Sequence, residues 1–332
     1  MKAISLMTAA TLTLAGLALA PKAADAQVIK IDGSSTVFPI TEAVAEEFQI
    51  QNRGKIRVTV GISGTGGGFK KFCRGETDIS DASRPILAAE METCRAAGIK
   101  YYELPIAYDS LTVVVNPQNT WVNQLTIPEL KKMWEPAAQG KVKTWKEINA
   151  KFPAEPLALF GPGSDSGTFD YFTEAVVGKA KSSRGDYTGS EDDNVLVQGV
   201  ASNKGALGYF GYAYYEPNAG KLKAVPIVGK SGKAVGPSRE NTLNGTYEPL
   251  SRPIFIYVAE KSAQKPEVKK FVEFYLSQSK PLIEEVKYIP LPDQAYALAR
   301  KHFADGKLGT GFGGVPEVGL KVEDLLAREA KL

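Results

Sequence analysis

The feature that most constrains this chain is a stretch rich in glycine and hydroxyl residues, GPGSDSGTF at residues 161–169. It lies between a strand-like run and a helix-like run. The first backbone N–H groups of a helix have no intrahelical partner, and the helix dipole places partial positive charge there. Glycine lets a ligand approach the backbone, and Ser164, Ser166 and Thr168 add hydroxyl donors. The stretch indicates an oxyanion site, although a simple helix cap by Ser164 or Asp165 explains this one stretch equally well.

The same order of strand, loop and helix occurs twice more. GSSTVFP at residues 33–39 follows a strand-like run and opens an apolar helix pattern. SGTGGGF at residues 63–69 follows residues 56–62, whose apolar side chains alternate as in a strand. Helix capping alone does not require this glycine content. We therefore interpret the three loops as parts of one anion site in an α/β fold.

A further segment, TDISDASRP at residues 77–85, adds charged groups. Pro85 disfavours helix at Arg84 and holds it extended. Asp81 and Ser83 are two residues apart, so on an extended chain their side chains face the same way. The planar guanidinium of Arg84 can donate two parallel hydrogen bonds to an oxyanion. We expect Arg84 to be the fixed cation of the site, with a surface ion pair as the alternative.

The N-terminus has the features of a secretory signal peptide. Lys2 precedes a mostly apolar run at residues 3–20, and the small-residue sequence Ala-Asp-Ala follows at residues 24–26. We predict cleavage after Ala26, with an uncleaved membrane anchor as the alternative. No other apolar run reaches the roughly 20 residues that span a bilayer. The sequence therefore predicts an exported protein whose mature chain begins at Gln27.

Two cysteines occur, Cys73 and Cys94. Because an exported chain meets an oxidising compartment, we expect them to form a disulfide that closes a loop around residues 77–86. Two separate buried thiols are the alternative. The single histidine, His302, lies in a polar helix-like stretch and is expected at the surface. With no paired spacing of metal ligands, the sequence predicts no zinc site and no cofactor.

The length and charge of the chain limit its organisation and partners. The sequence has 40 Lys and Arg against 37 Asp and Glu, a net charge of +3, with no long basic block. This balance does not indicate a nucleic-acid partner. The mature chain is long enough for two domains. Two strand-like runs at residues 104–107 and 111–115, separated by Tyr-Asp-Ser, lead to a second α/β pattern that continues to about residue 250.

Together these motifs resemble the periplasmic phosphate-binding proteins of phosphate ABC transporters. The resemblance rests on SSTVFP at 34–39, GTGGGFKKFC at 64–73, DASRP at 81–85, SDSGTF at 164–169 and GALGYFGY at 205–212. It covers nearly the whole mature chain and implies an α/β fold of the type II periplasmic binding protein class. Such a protein has two lobes that are joined by two crossing strands and close on phosphate. We expect lobe 1 to comprise residues 27–110 and 254–332, and lobe 2 residues 111–253.

The resemblance also implies a set of ligand-binding residues. These are Ser35, Thr36, Val37, Thr65, Ser83, Ser166, Gly167 and Thr168, to which we add Asp81 and Arg84. Better-known members of the family have an arginine where this chain has Pro162, and a carboxylate where it has Ser83. We expect Arg84 to replace that cation. We expect Asp81 to accept the phosphate proton, with Asp165 as the second candidate. The alternative role of Asp81 is only to orient Arg84 by a salt bridge.

The sequence thus predicts a monomeric periplasmic protein that binds inorganic phosphate, delivers it to a membrane ABC transporter permease and performs no chemistry on it. One alternative is a binding protein for another tetrahedral oxyanion. Another is an exported phosphatase with Ser166 as nucleophile, which lacks a histidine base but for which a lysine base stays open. A third is a secreted adhesive or matrix protein. Whether Arg184, in a polar loop at residues 182–194, reaches the ligand is also open.

Overall fold

A computed structural model describes residues 27–164, 166–190, 192–315 and 320–332. The predicted signal peptide and Asp165 lie outside the described residues. None of the helices in these residues combines the length and apolarity that a membrane span requires.

Strands and helices alternate along most of the described chain. The strands are β1 (Gln27–Gly33), β2 (Ile56–Ile62), β3 (Ile79–Ala82), β4 (Tyr101–Val115), β5 (Leu125–Thr126), β6 (Ala158–Pro162), β7 (Thr188–Ser190), β8 (Ala206–Gly211), β9 (Lys223–Ala224), β10 (Ile227–Val228), β11 (Ala234–Val235), β12 (Ser251–Ala259) and β13 (Ile289–Pro290). The α-helices are α1 (Phe38–Gln51), α2 (Gly64–Cys73), α3 (Ala88–Ala96), α4 (Ile127–Trp134), α5 (Trp145–Ile148), α6 (Gly167–Phe172), α7 (Asp193–Ser202), α8 (Tyr212–Tyr215), α9 (Arg239–Leu243), α10 (Glu260–Ala263), α11 (Pro266–Glu285), α12 (Asp293–Asp305) and α13 (Val322–Glu329). A π-helical turn (Thr173–Val177) extends α6, and two short 3-10 helices are formed by Pro136–Ala138 and Glu216–Asn218.

The main sheet is mixed. Its strand order is β2-β1-β3-β12-β4-β8-β6-β7, and β9 and β13 also pair with β4. β1 runs parallel to β2 and β3, and β6 runs parallel to β7 and β8. β12 is antiparallel to β3 and β4, and β4 is antiparallel to β8. A small second sheet has the order β11-β10-β5. The predicted α/β class is confirmed.

β4 and β12 are the strands that connect the two halves of the main sheet. Every residue of both strands is buried. β4 pairs with β12 as far as Ser110, and from Leu111 it pairs with β8. The sequence prediction of two separate strands here is wrong, because the intervening polar residues stay in the strand. Asp109 is placed opposite Arg252, so its charge is paired within the sheet.

Buried apolar side chains form separate cores on either side of this connection. One core draws its members from residues 29–108 and 254–325, and it includes residues of both β4 and β12. The other side is filled by two clusters from residues 111–250, the smaller of which packs around α7 and β8. The two ends of the chain therefore build one α/β unit, and the middle of the chain builds the other.

Two local features differ from the sequence prediction. The glycine-rich segment after β2 is already helical, because α2 begins at Gly64. Glycine at position 68 allows this helix to lie against β1, since a Cβ at Gly68 would come within 2.6 Å of the Cα of Gly33. His302 is buried and not exposed, because α13 packs on α12 and places Glu329 Oε2 3.3 Å from His302 Nδ1.

The predicted disulfide is present. Cys73, the last residue of α2, is bonded to Cys94 in α3. Both cysteines are buried, they are 21 positions apart in the sequence, and the loop between them contains β3 and the segment that follows it. The bond therefore fixes α2 and α3 on either side of that segment.

Candidate functional site

The carboxyl ends of three parallel strands lie side by side in the first α/β unit. β1 pairs with both β2 and β3, so the loops after all three strands leave at the same edge of the sheet. The turn after β1 is held by the backbone N–H of Ser34, which donates to the Asp81 carbonyl at 3.0 Å, and by Ser34 Oγ, which accepts from the Thr36 N–H at 3.2 Å. In open α/β sheets, ligands bind at this edge.

Four side-chain hydroxyls meet at this edge and form what we call the hydroxyl cluster: Thr36, Thr65, Ser83 and Thr168. Thr65 Oγ1 lies 3.0 Å from Ser83 Oγ and accepts from the Ser83 N–H at 3.2 Å. Thr36 Oγ1 lies 3.0 Å from Thr168 Oγ1. None of the four residues is more than 6% exposed. Since Thr168 belongs to the second α/β unit, the cluster joins the two units.

The first residues of α6 place Thr168 in the cluster. Ser166 Oγ accepts from the Thr168 N–H at 3.1 Å, so Ser166 caps the helix. Gly167 packs directly on the opposite unit, because a Cβ there would overlap Ser83 Oγ and lie 3.1 Å from Thr65 Oγ1. A glycine is therefore needed at position 167 for this close approach.

Arg252, which the sequence analysis did not single out, brings a buried positive charge to the hydroxyl cluster. Its side chain is 2% exposed, and its Nη1 donates to the Gly167 carbonyl at 2.7 Å. Nη2 lies 3.4 Å from Thr168 Oγ1 and 3.5 Å from Thr36 Oγ1. Nε and Nη2 also donate to Asp109 Oδ2, at 3.2 and 3.0 Å. Arg252 thus contacts both α/β units and the strand beside it.

Arg84, the cation expected from the sequence, makes its contacts elsewhere. Its Nη1 and Nη2 donate to the two carboxylate oxygens of Glu90, each at 2.8 Å, and Nη1 also donates to the Pro85 carbonyl at 3.1 Å. The guanidinium lies over the ring of Phe69 and borders a cavity of about 460 Å³ that Asp170 also lines. The role of Arg84 as the cation of the site stays a prediction, and both of its Nη atoms are paired with Glu90 in this structure.

Asp81 also lies differently from the expectation. β3 ends at Ala82, so the alternation of a strand does not continue to Ser83. The Asp81 side chain is buried next to Thr41 on α1 and Tyr275 on α11, whose hydroxyls lie 3.0 Å apart. Neither Asp81 oxygen has a hydrogen-bond partner among the described residues. Burial raises the pKa of Asp81 to about 8, and the neighbouring Thr41 partly opposes this shift.

The remaining candidates fall into two groups. Ser35 is half-buried and Val37 is buried in the turn after β1, where a ligand contact of either stays a prediction. Arg184 is bound within the second unit, because its guanidinium donates to Asp186 and to two backbone carbonyls. Asp165 lies outside the part of the chain that the structure describes.

One signal in the sequence points to Arg252. The tetrapeptide Ser-Arg-Pro-Ile occurs twice, at residues 83–86 and 251–254. Both copies place an arginine before a proline, which favours an extended backbone at the arginine. The first copy contains Arg84, and the second provides the arginine that contacts the hydroxyl cluster.

The protein has two α/β units connected by β4 and β12, and polar groups from both units meet between them. This arrangement defines a two-lobed binding protein of the type II class. Comparisons with known proteins agree with this class. Residues 20–279 match the PBP superfamily domain. Protein SphX of Synechococcus elongatus is 55% identical over 302 residues, which cover 91% of this chain and 89% of SphX.

Two further relatives narrow the family. Phosphate-binding protein PstS of Staphylococcus saprophyticus is 41% identical over 271 residues, 81% of this chain and 82% of that protein. The crystal structure of an ABC-type phosphate transport receptor from Vibrio cholerae superposes with a TM-score of 0.65 at 26% identity, covering 80% of this chain and 100% of that one. The chain belongs to the PBP superfamily and, within it, to the family of SphX and PstS.

Proposed function

We propose that this protein binds inorganic phosphate between two lobes and delivers it to a membrane ABC transporter. The observation that carries the proposal is the hydroxyl cluster, in which donors from both α/β units and the charge of Arg252 meet at the carboxyl ends of parallel strands. Such donors suit a tetrahedral oxyanion. The names of the PstS relative and of the Vibrio cholerae receptor support phosphate as the anion and an ABC transporter as the partner.

The two lobes of the proposal are residues 27–110 with 254–332, and residues 111–253. The separate apolar cores support this division. Thr36 Oγ1 and Thr168 Oγ1 lie 3.0 Å apart, and both residues are buried where the two lobes meet, so an anion cannot reach them from solvent in this arrangement. The lobes therefore have to separate to admit the anion, and we place the hinge at residues 107–111 and 250–254.

The proposed ligand contacts come from three segments. They are the Ser35, Thr36 and Val37 turn, the Thr65 and Ser83 hydroxyls, and Ser166, Gly167 and Thr168 at the start of α6. Backbone N–H groups of the first and third segments supply donors besides the hydroxyls. This arrangement surrounds a small anion from both lobes.

We further propose export to the periplasm with cleavage after Ala26, a monomeric state, and binding without chemical change. The phosphatase alternative receives no support from its expected nucleophile, because the Ser166 hydroxyl accepts from the Thr168 N–H in a helix cap. His302 is paired with Glu329 between α12 and α13. Neither residue forms the nucleophile and base pair that such catalysis needs.

The test is calorimetry on protein that has been unfolded, dialysed and refolded to remove bound anions. We expect one phosphate per chain, weaker binding of sulfate, compaction in small-angle scattering on adding phosphate, and no hydrolysis of p-nitrophenyl phosphate. Folded protein that gives no binding signal with phosphate would refute the proposal. Tighter binding of sulfate would indicate another oxyanion, and steady hydrolysis would indicate a phosphatase.

A further inference from the structure

We infer that Arg252 supplies the positive charge that bound phosphate contacts, and that Asp109 is the positioning residue for its guanidinium. This inference rests on the proposed phosphate function and deepens it by assigning the cation of the site. Arg252 and Asp109 are directly opposite each other on β12 and β4. Along β4, Tyr108 belongs to the first apolar core and Leu111 belongs to the second, so the pair lies between the two cores. The pair therefore lies where the two lobes meet.

The contacts of Arg252 divide into strong and weak ones. Three contacts have ordinary hydrogen-bond lengths. Nη1 donates to the Gly167 carbonyl at 2.7 Å, and Nε and Nη2 donate to Asp109 Oδ2 at 3.2 and 3.0 Å. The distances from Nη2 to the Thr168 and Thr36 hydroxyls, 3.4 and 3.5 Å, are longer than good hydrogen bonds. The strong contacts hold the guanidinium, and the weak ones can be exchanged. An anion oxygen that accepts from these two hydroxyls is within reach of Nη2.

The plane of the guanidinium is also held by an aromatic ring. The Tyr171 ring centroid lies 4.7 Å from the Arg252 Cζ, and the Tyr171 hydroxyl lies 2.7 Å from the carbonyl oxygens of both Pro249 and Ser251, which share its single proton. The ring is thereby tied to the chain on both sides of the turn into β12. Pairing with Asp109 and stacking on Tyr171 together orient the arginine before an anion arrives, which reduces the cost of ordering it on binding.

Asp109 has a second consequence for the charge of the site. It is buried and its carboxylate offsets the charge of Arg252, so the pair brings no net charge to the hydroxyl cluster. Attraction by net charge would not separate phosphate from sulfate, because both are anions of the same shape. A neutral pair leaves discrimination to the geometry of individual donors and acceptors. Replacing Asp109 by asparagine should therefore leave the preference between the two anions unchanged and act on binding through the placement of Arg252.

The experiment compares single variants by calorimetry with phosphate and sulfate, after circular dichroism has shown that each is folded. Arg252→Met should weaken phosphate binding by roughly 100-fold or more, since a buried charged donor is lost. Arg184→Met is the matched control, because Arg184 is likewise buried, paired with a carboxylate and bonded to backbone carbonyls, but within lobe 2. It should lower stability and leave the affinity within threefold of the parent.

Two further variants keep the test decisive if Arg252→Met does not fold. The double variant Asp109→Asn with Arg252→Met removes both charges, so no buried charge is left unpaired. Arg252→Lys keeps the charge but loses the fork, and should weaken phosphate binding about tenfold. Asp109→Asn alone should weaken phosphate binding about tenfold, and it should cause no further loss when Arg252 is already methionine. A purely structural role of Asp109 would instead lower the affinity by the same factor in both backgrounds.

The outcomes separate the inference from the function on which it rests. If the parent protein does not bind phosphate, the proposed function fails before any variant is measured. If the parent binds but the folded Arg252 variants keep its affinity within threefold, the assignment of Arg252 is refuted. If Arg84→Met loses phosphate binding and Arg252→Met does not, Arg84 is the cation of the site.

Discussion

The contact between Gly167 and Ser83 predicts what one added methyl group does to closure of the lobes. In Gly167→Ala, the new Cβ overlaps Ser83 Oγ and lies 3.1 Å from both Ser83 Cβ and Thr65 Oγ1. Rotation of the Ser83 hydroxyl relieves only the first of these contacts. Because carbon atoms pack best about 3.5–4.0 Å apart, the lobes must stay about 0.4 to 0.9 Å further apart than in the parent protein.

This extra separation is large on the scale of a hydrogen bond. A donor that is moved by about 0.9 Å from its usual distance of about 2.8 Å no longer makes one. A hydrogen bond to a charged group contributes about 1.5–3 kcal/mol, so losing one across the cleft raises the Kd about 10- to 100-fold. Alanine is also a better helix former than glycine at the start of α6. The variant should therefore bind poorly while remaining as stable as the parent.

Calorimetry and small-angle scattering check this prediction together. The matched control is Gly66→Ala, because Gly66 lies on α2 and borders the cavity that Arg84 and Asp170 line, but a Cβ there would meet nothing closer than Arg84 Nη2 at 3.7 Å. That control should bind and compact like the parent. If Gly167→Ala binds phosphate within threefold of the parent and compacts to the same radius, the reasoning from the lobe contact is wrong.

Two other predictions concern stability. Reduction of the Cys73–Cys94 bond should lower the free energy of unfolding by roughly 3 kcal/mol, and equal urea midpoints with and without reductant would contradict this. For Asp81, burial raises the pKa to about 8, whereas an unfolded aspartate titrates near about 4. The folded state then holds a proton that the unfolded state loses, so stability falls as the pH rises through this interval. In Asp81→Asn, denaturation at several pH values should show that the free energy of unfolding no longer falls over this interval. The preference for phosphate over sulfate should be unchanged, and a smaller preference would make Asp81 the proton acceptor.

Features that depend on neighbours in sequence were predicted well. Alternating apolar residues predicted a strand at 56–62, and the structure has β2 over the same residues. The glycine and hydroxyl loops marked the ends of β1 and β2 because a tight turn or a close approach needs those residue types locally. The continuity of β4 was missed, since the partner that neutralises Asp109 is 143 residues away in the chain. A sequence pattern read in short windows does not contain that partner.

The two copies of Ser-Arg-Pro-Ile show why the charge of the site is harder to predict than its hydroxyls. The tetrapeptides are identical, but Arg84 lies in the loop after β3 and Arg252 lies in β12, and the carboxylates that pair with them come from different places. Glu90 lies six residues after Arg84, where it caps α3 by accepting from the Leu87 N–H and is positioned to take both Nη atoms of that arginine. Arg252 has no such local partner; its carboxylate comes from a neighbouring strand. Both arginines are therefore paired with a carboxylate, but only Arg252 has an Nη atom close to the hydroxyls of Thr36 and Thr168, and this favours the second copy as the anion-binding one.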